Sequence, residues 1–290
     1  MKNILITGGN GQLGSAFALL TKSYSAYNFV FTDVENLDIC NATAVDAFFV
    51  QHAIDIIINC AAYTAVDKAE TDTETARMIN VTGVEILAET AAKYHCLLIH
   101  ISTDYVFDGK SYMPMVEDDI TEPESFYGET KLLGEKAVQV CTQNYLIIRT
   151  SWLYSQFGNN FVKTMLKLGR ERSELGVIFD QVGTPTFAPD LADAVMQIID
   201  NTNNGVCVQI PGIYHYSNEG VTSWYDFALE IMRLANLDCK IIPIETKDYP
   251  TAAKRPHYSI LNKSKIKSVY KIEIPHWKYS LETCIKELRP

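Results

Sequence analysis

The stretch that most limits what this chain can become lies at its N-terminus. Lys2 to Thr7 holds the apolar run Ile4-Leu5-Ile6, which reads as a buried parallel strand. It runs straight into Gly8-Gly9-Asn10-Gly11-Gln12-Leu13-Gly14 and then into an amphipathic segment from Ser15 to about Ser23. Strand, glycine turn and helix together make a backbone cradle for a pyrophosphate. Gly8 permits the tight turn, Gly11 lets main chain approach the anion, and Gly14 lets the helix pack close to the strand, with the helix N-terminus facing the charge. Asn10, Gln12 and Leu13 complete the cradle. The pattern predicts an α/β chain of Rossmann type, a doubly wound parallel sheet.

The rest of the first half keeps the strand–helix rhythm. Phe29 to Thr32 reads as a strand ending at Asp33, nineteen residues past Gly14. A carboxylate there accepts hydrogen bonds from an adenosine ribose and repels a 2′-phosphate. No Arg or Lys in the turn offers that phosphate a partner, so NADH is expected, with NADPH left open. A helix is predicted over Asn41 to His52, with Asp38 as a candidate N-cap. Ile54 to Cys60 reads as a strand whose carboxyl end carries Ala61, Ala62 and Tyr63, where small side chains let a cofactor lie across the strand tips. Thr71 to Tyr94 reads as one long helix that includes Asn80, and Cys96 to Ile101 as a strand leading into Ser102-Thr103-Asp104-Tyr105-Val106-Phe107. A hydroxyl at a strand tip can hold a carbonyl oxygen; a Ser/Thr turn closing the strand is the plain alternative.

Tyr127 and Lys131 follow, four residues apart near the head of a predicted helix, so their side chains rise from one face. Taken alone, such a pair usually marks a solvated surface. After a glycine turn and Thr103 it reads differently: the cation favours phenolate and draws the tyrosine pKa down from about 10, making a proton donor. Leu146 to Arg149 is the next strand. Phe161–Arg172, Asp190–Asp200 and Ser223–Ala235 read as helices. From Gly205 the rhythm dissolves among aromatics and prolines. Residues 1–149 are therefore expected to form the dinucleotide-binding domain, with returning segments around 176–208, and 150–290 mainly a smaller C-terminal α/β lobe for the substrate.

Bulk properties narrow the classes further. Thirty-five carboxylates against 25 Lys and Arg argue against a nucleic-acid partner. The longest apolar run, Ile54 to Ala62, is too short to span a bilayer, and no signal-peptide pattern opens the chain. A cytoplasmic protein is expected, with no membrane partner. Seven scattered cysteines and six histidines show no ligand spacing, so no metal is expected.

The Gly-x-x-Gly-x-x-Gly turn, strand-tip Thr103 and Tyr127-x-x-x-Lys131 resemble the extended short-chain dehydrogenase/reductase superfamily. Within it the chain resembles the dTDP-4-dehydrorhamnose reductase family nearly end to end. The likeness runs through Asn59-Cys60-Ala61-Ala62-Tyr63-Thr64-Ala65-Val66-Asp67-Lys68-Ala69-Glu70, Ser102 to Gly109, Arg149 to Tyr154, Asp180 to Thr186 and Arg255 to Leu261. The resemblance implies that Thr103, Tyr127 and Lys131 form a catalytic triad, and that Asp38-Ile39 touches adenine. Asn80 would help fix the lysine through water, a buried polar group bonded to backbone being the alternative. Thr103, Asp104, Val106, Phe107, Trp152 and Arg255 would contact a dTDP-linked 4-keto-6-deoxyhexose. For Trp152 the plain alternative is lobe core, and for Arg255 a surface cation. Metal-linked dimers in the family use a carboxylate where this chain has Ala16, and only Asp190 remains at the partner site, so a monomer is expected.

Two kinds of rival remain at this level. A nucleotide-sugar 4,6-dehydratase or 4-epimerase could use the same scaffold, but dehydratases carry Thr-Asp-Glu where this chain has Thr103-Asp104-Tyr105. A regulatory subunit like that of methionine adenosyltransferase need not keep all of Thr103, Tyr127 and Lys131.

Overall fold

The computed structural model describes residues 1–289. Its centre is a six-stranded, all-parallel sheet in the order β10-β5-β4-β3-β1-β2. The strands are β1 (Lys2–Thr7), β2 (Tyr27–Phe31), β3 (Ile56–Asn59), β4 (Leu97–Thr103), β5 (Tyr145–Thr150) and β10 (Gly212–His215). The order reverses between β1 and β3, which opens a crevice at the carboxyl ends of the strands.

Both faces of the sheet are covered, which is why its strands are apolar throughout rather than alternating. On one face α1 (Gln12–Leu20) packs with α8 (Ala188–Asn203) over Ile4, Ile6, Ile58 and Ile99. On the other, α2 (Ala42–His52), α5 (Gly83–Tyr94) and α6 (Phe126–Cys141) cover Leu5, Ile57, Leu98 and Ile147. Asn41, not Asp38, caps α2 by accepting from Ala44 N; the Asp38 carboxylate instead accepts from Cys40 N.

The predicted helix over Thr71–Tyr94 is continuous from Thr73, following the short α3 (Val66–Ala69): α4 (Thr73–Arg77) passes through a π-helical turn, Met78–Thr82, into α5. Asn80 sits in that turn, fully buried. A single-turn π-bulge of this kind re-aims one side chain, and here it turns Asn80 inward.

The second half builds its own core from α7 (Phe161–Glu171), α9 (Trp224–Ala235) and α11 (Trp277–Glu287) around Leu166, Phe227, Ile231 and Leu281. Its small pairings are β6 (Leu153–Tyr154) with β9 (Thr186–Phe187), β7 (Glu174–Ile178) with β12 (Lys240–Ile244), and β8 (Val182–Gly183) with β11 (Thr222–Ser223). Helix α10 (Ser264–Tyr270) lies beside β10. The chain thus gives α8 and β10 back to the large sheet; the segment that hydrogen-bonds β5 is 212–215, beyond the predicted 176–208.

Candidate active site

The glycine turn is shaped by contacts that a Cβ would destroy. Gly8 has φ +63, and a Cβ there would stand 2.8 Å from Ala61 N and Cα. At Gly14 a Cβ would meet Gly8 O at 2.4 Å and Gly9 Cα at 2.6 Å, so α1 begins in contact with the turn itself. Asp33 closes the second side: its Oδ2 accepts from Asn10 N at 3.0 Å and its Oδ1 from Val34 N at 2.8 Å. The Gln12 side-chain oxygen accepts from Ser155 Oγ and Asn160 Nδ2, both at 2.9 Å, which ties the start of α1 to the loop before α7.

A cavity of about 860 Å³ runs from this turn across the strand tips. Gly8, Gly11, Gln12, Leu13, Asp33, Asp38 and Ile39 line one end of it, Ala61 and Ala62 its floor. Thr103, Asp104, Tyr127, Lys131 and Trp152 line the other end. Residues separated by more than a hundred positions therefore share one space, which suits a dinucleotide at one end and a second ligand at the other.

At the chemical end, Thr103 is the last residue of β4, and Ser125 caps α6 by accepting from Gly128 N at 3.2 Å. Tyr127 is 8% exposed and meets Tyr105 edge to face, ring centres 5.6 Å apart. Burial pushes the Tyr127 phenol up to about 12, opposed by the nearby Thr103 side chain. The acidification by Lys131 expected from their spacing is absent. Lys131 Nζ instead donates to Ile101 O at 2.7 Å and lies 3.4 Å from His100 Nε2. Burial draws the ammonium down to about 8, with the Glu135 and Cys60 side chains working against that shift. An i, i+4 spacing fixes a shared face but not which neighbour a long side chain takes, and the sheet carbonyl won.

Asp104 is buried, accepts from Thr103 Oγ1 at 3.0 Å, and has no partner for Oδ2. Its burial raises the carboxyl to about 7. Beneath it, Glu135 and Arg149 form a buried pair at 2.7 and 2.9 Å, and Ser102 donates to the same carboxylate at 2.5 Å.

Other expected site residues lie elsewhere. Val106 and Phe107 are core, packed with Met115 and Leu261 behind the cavity wall. Asn80 accepts from Tyr63 N at 2.9 Å and donates to Tyr63 O and Thr130 Oγ1, so its side chain clamps the loop after β3 to α6. Tyr63 directs its hydroxyl to Asp72. Arg255 makes a bidentate pair with Asp67 at 2.6 and 2.9 Å, tying the loop after β12 to α3 beside the cavity. Trp152, at φ +48, stacks on Trp224 at 3.5 Å and 9°, packs against Gly183, and lines the cavity.

Gly158 and Asn159 also line the cavity and were missed, although the Gly158-Asn159-Asn160 run is a loop signal in the sequence. Ala16 is wholly buried between α1 and α8, so position 16 presents no surface to a partner. The Asp190 carboxylate is taken up by Ser280 and Asn218 at 2.5 and 2.6 Å.

A parallel sheet with this reversal point and glycine turn defines a dinucleotide-dependent oxidoreductase of the short-chain dehydrogenase/reductase type. Comparison with known proteins narrows the class. The model of the RmlD substrate-binding domain family matches residues 1–289. The dTDP-4-dehydrorhamnose reductase of Escherichia coli strain K12 is 42% identical over 296 residues, covering 99% of this chain and 98% of that protein. The crystal structure of a dTDP-4-dehydrorhamnose reductase from Clostridium acetobutylicum superposes with a TM-score of 0.93 at 44% identity over 99% of each chain. That of the Bacillus anthracis enzyme in complex with NADP does so at 0.93 and 38%, over 99% of this chain and 100% of that one. The chain belongs to the dTDP-4-dehydrorhamnose reductase family.

Proposed function

We propose that the chain reduces the C4 ketone of dTDP-4-dehydro-6-deoxy-L-mannose to dTDP-L-rhamnose, using NADH. The observation that carries this is the shared cavity, in which Thr103, Tyr127 and Lys131 face the same space as the Gly8–Gly14 turn. Residues 1–149 with α8 and β10 would hold the cofactor, and the remaining lobe the nucleotide sugar.

The cofactor supplies the hydride to the ketone carbon. Thr103 holds the carbonyl oxygen, and Tyr127 gives that oxygen a proton as its charge develops. A phenol kept protonated by burial is a loaded donor at neutral pH. Lys131, as an ammonium, offsets the phenolate left behind; Ile101 O and His100 take two of its donors and leave the third for the site. Trp152, which lines the cavity, offers the sugar an apolar wall. Asp33 supports NADH, because its carboxylate stands where a 2′-phosphate would be repelled. A monomer is supported by the buried Ala16 and the internally bonded Asp190. Seven unpaired thiols suit the cytoplasm.

The test is NADH consumption with dTDP-4-keto-6-deoxy-L-lyxo-hexulose made in situ, for the parent and for Tyr127→Phe. The variant should bind NADH normally and turn over about a hundred- to ten-thousandfold more slowly. Near-normal turnover removes Tyr127 from the mechanism. NADPH measured alongside should be the poorer donor; parity would remove Asp33 as the discriminator.

A further inference from the structure

Below the cavity floor a row of polar side chains crosses the sheet at one register level. Thr7 pairs with Asn59 across β1 and β3, and Asn59 with His100 across β3 and β4. Thr7 Oγ1 lies 2.7 Å from Asn59 Oδ1, Asn59 Nδ2 lies 3.0 Å from His100 Nδ1, and His100 Nε2 lies 3.4 Å from Lys131 Nζ. His100 is 0% exposed and Asn59 and Thr7 1%. Buried polar groups in the middle of a sheet cost stability unless each finds a partner; here each meets its neighbour in the row, and Thr7 Oγ1 also accepts from Ala61 N.

We infer that His100 is a positioning residue for the reduction: its ring, oriented by Asn59, accepts a hydrogen bond from the Lys131 ammonium and, with Ile101 O, fixes that charge where it lines the cavity. The inference rests on the proposed role of Lys131 and follows from counting hydrogens. An ammonium has three donors and no acceptor, so His100 Nε2 can meet it only as a lone pair. The ring hydrogen is then on Nδ1, and Asn59 must present its oxygen to it and its NH₂ to Thr7. The amide orientation of the structure, with Nδ2 toward His100, is the complementary state: it places the hydrogen on Nε2, facing an uncharged amine. Rotating the amide by 180° exchanges the two states in the same volume, because its oxygen and nitrogen are nearly the same size.

His100 itself stays neutral, since burial and the neighbouring Lys131 charge hold its pKa well below the usual imidazole value. The titratable and charged groups that bear on Lys131 are Glu135 on its own helix, Cys60 after β3, and His100 on β4; Arg149 on β5 neutralises Glu135. With Lys131 titrating at about 8, both states of the row lie within an accessible pH range.

The test compares the pH dependence of kcat in the parent, His100→Leu, His100→Gln and Lys131→Met, with NADH binding and melting followed for each. His100→Leu removes the acceptor. Its kcat should fall about tenfold or more at pH ~8, and the alkaline fall should move to lower pH by about one unit or more. KM for NADH should stay within about twofold. His100→Gln, whose side-chain oxygen can stand in place of Nε2, should restore the profile. An unmoved alkaline limb in His100→Leu, or a His100→Gln as impaired as His100→Leu although folded, overturns the assignment. If Lys131→Met is inactive while His100→Leu keeps the parent profile, only His100 falls; if Lys131→Met turns over normally, the lysine's role falls and this proposal with it. On the parent protein, ¹⁵N shifts of the His100 ring should show a neutral imidazole exchanging Nδ1–H for Nε2–H as pH rises. A single tautomer throughout would refute the row, independently of whether any variant folds.

Discussion

Arg149→Met separates the buried ion pair beneath the active site. Arg149 and Glu135 are 2% and 1% exposed, and two hydrogen bonds of 2.7 and 2.9 Å join them. A pair of unit charges about 4 Å apart interacts by roughly 4 kcal/mol at an effective dielectric of 20, and burial keeps solvent from replacing a lost partner. Removing the guanidinium leaves the carboxylate only Ser102 as a donor, a loss of about 3–5 kcal/mol in unfolding free energy. In a chain of this length that is a fall in melting temperature of roughly 6–10 °C. Urea unfolding of Arg149→Met, Glu135→Gln and the double variant Arg149→Met/Glu135→Leu measures it. The double variant should recover most of the loss, because an apolar pair leaves no uncompensated charge. The two single variants also carry opposite electrostatic signs. Freed of Arg149, Glu135 favours the Lys131 ammonium one turn away, so the alkaline fall in turnover moves up in pH; Glu135→Gln leaves the Arg149 charge facing Lys131 and moves it down. A loss below about 1 kcal/mol in Arg149→Met, or shifts of the same sign in both variants, would refute this account of the pair.

Two further outcomes follow from the site. Gly14→Ala forces a methyl to within 2.4 Å of Gly8 O, all neighbours being backbone, so the turn must open by about 1 Å; NADH affinity, read by fluorescence titration, should weaken about tenfold or more, and unchanged affinity would show that the turn does not grip the cofactor. Asp104 is raised to about 7 from the usual carboxylate range, so the folded state binds the extra proton between about pH 4 and 7, and stability falls as pH rises through that window. Asp104→Asn should flatten the fall and gain on the order of 3–4 kcal/mol above pH ~7; a slope identical to the parent's would mean that Asp104 is ionised at lower pH than its burial dictates.

What could be read in the sequence was local. The turn from Gly8 to Gly14 follows its strand directly, and each glycine's task is set by residues within a few positions or by the adjoining strand. The spacing of Tyr127 and Lys131 fixed a shared helix face in the same way. Strand-tip Thr103 followed from the end of an apolar run. The resemblance puts Val106 and Phe107 at the substrate, whereas a strand tip followed by a 3-10 turn sends their side chains into the core with Met115 and Leu261.

The chain's own pattern of apolar runs and glycines determined a Rossmann-type sheet with a dinucleotide turn, since strand burial and close backbone approach are encoded residue by residue. Tertiary structure decided where the long and buried polar side chains spend their hydrogen bonds. Lys131 turned to Ile101 O and His100 rather than toward Tyr127, Arg255 closed on Asp67 across 188 positions, and Thr7, Asn59 and His100 met only because β1, β3 and β4 are neighbours in register. The physical reason is common to all three. A buried donor must be satisfied by whatever acceptor the packed sheet brings within about 3 Å, and sheet order is a property of the whole chain, not of any one segment.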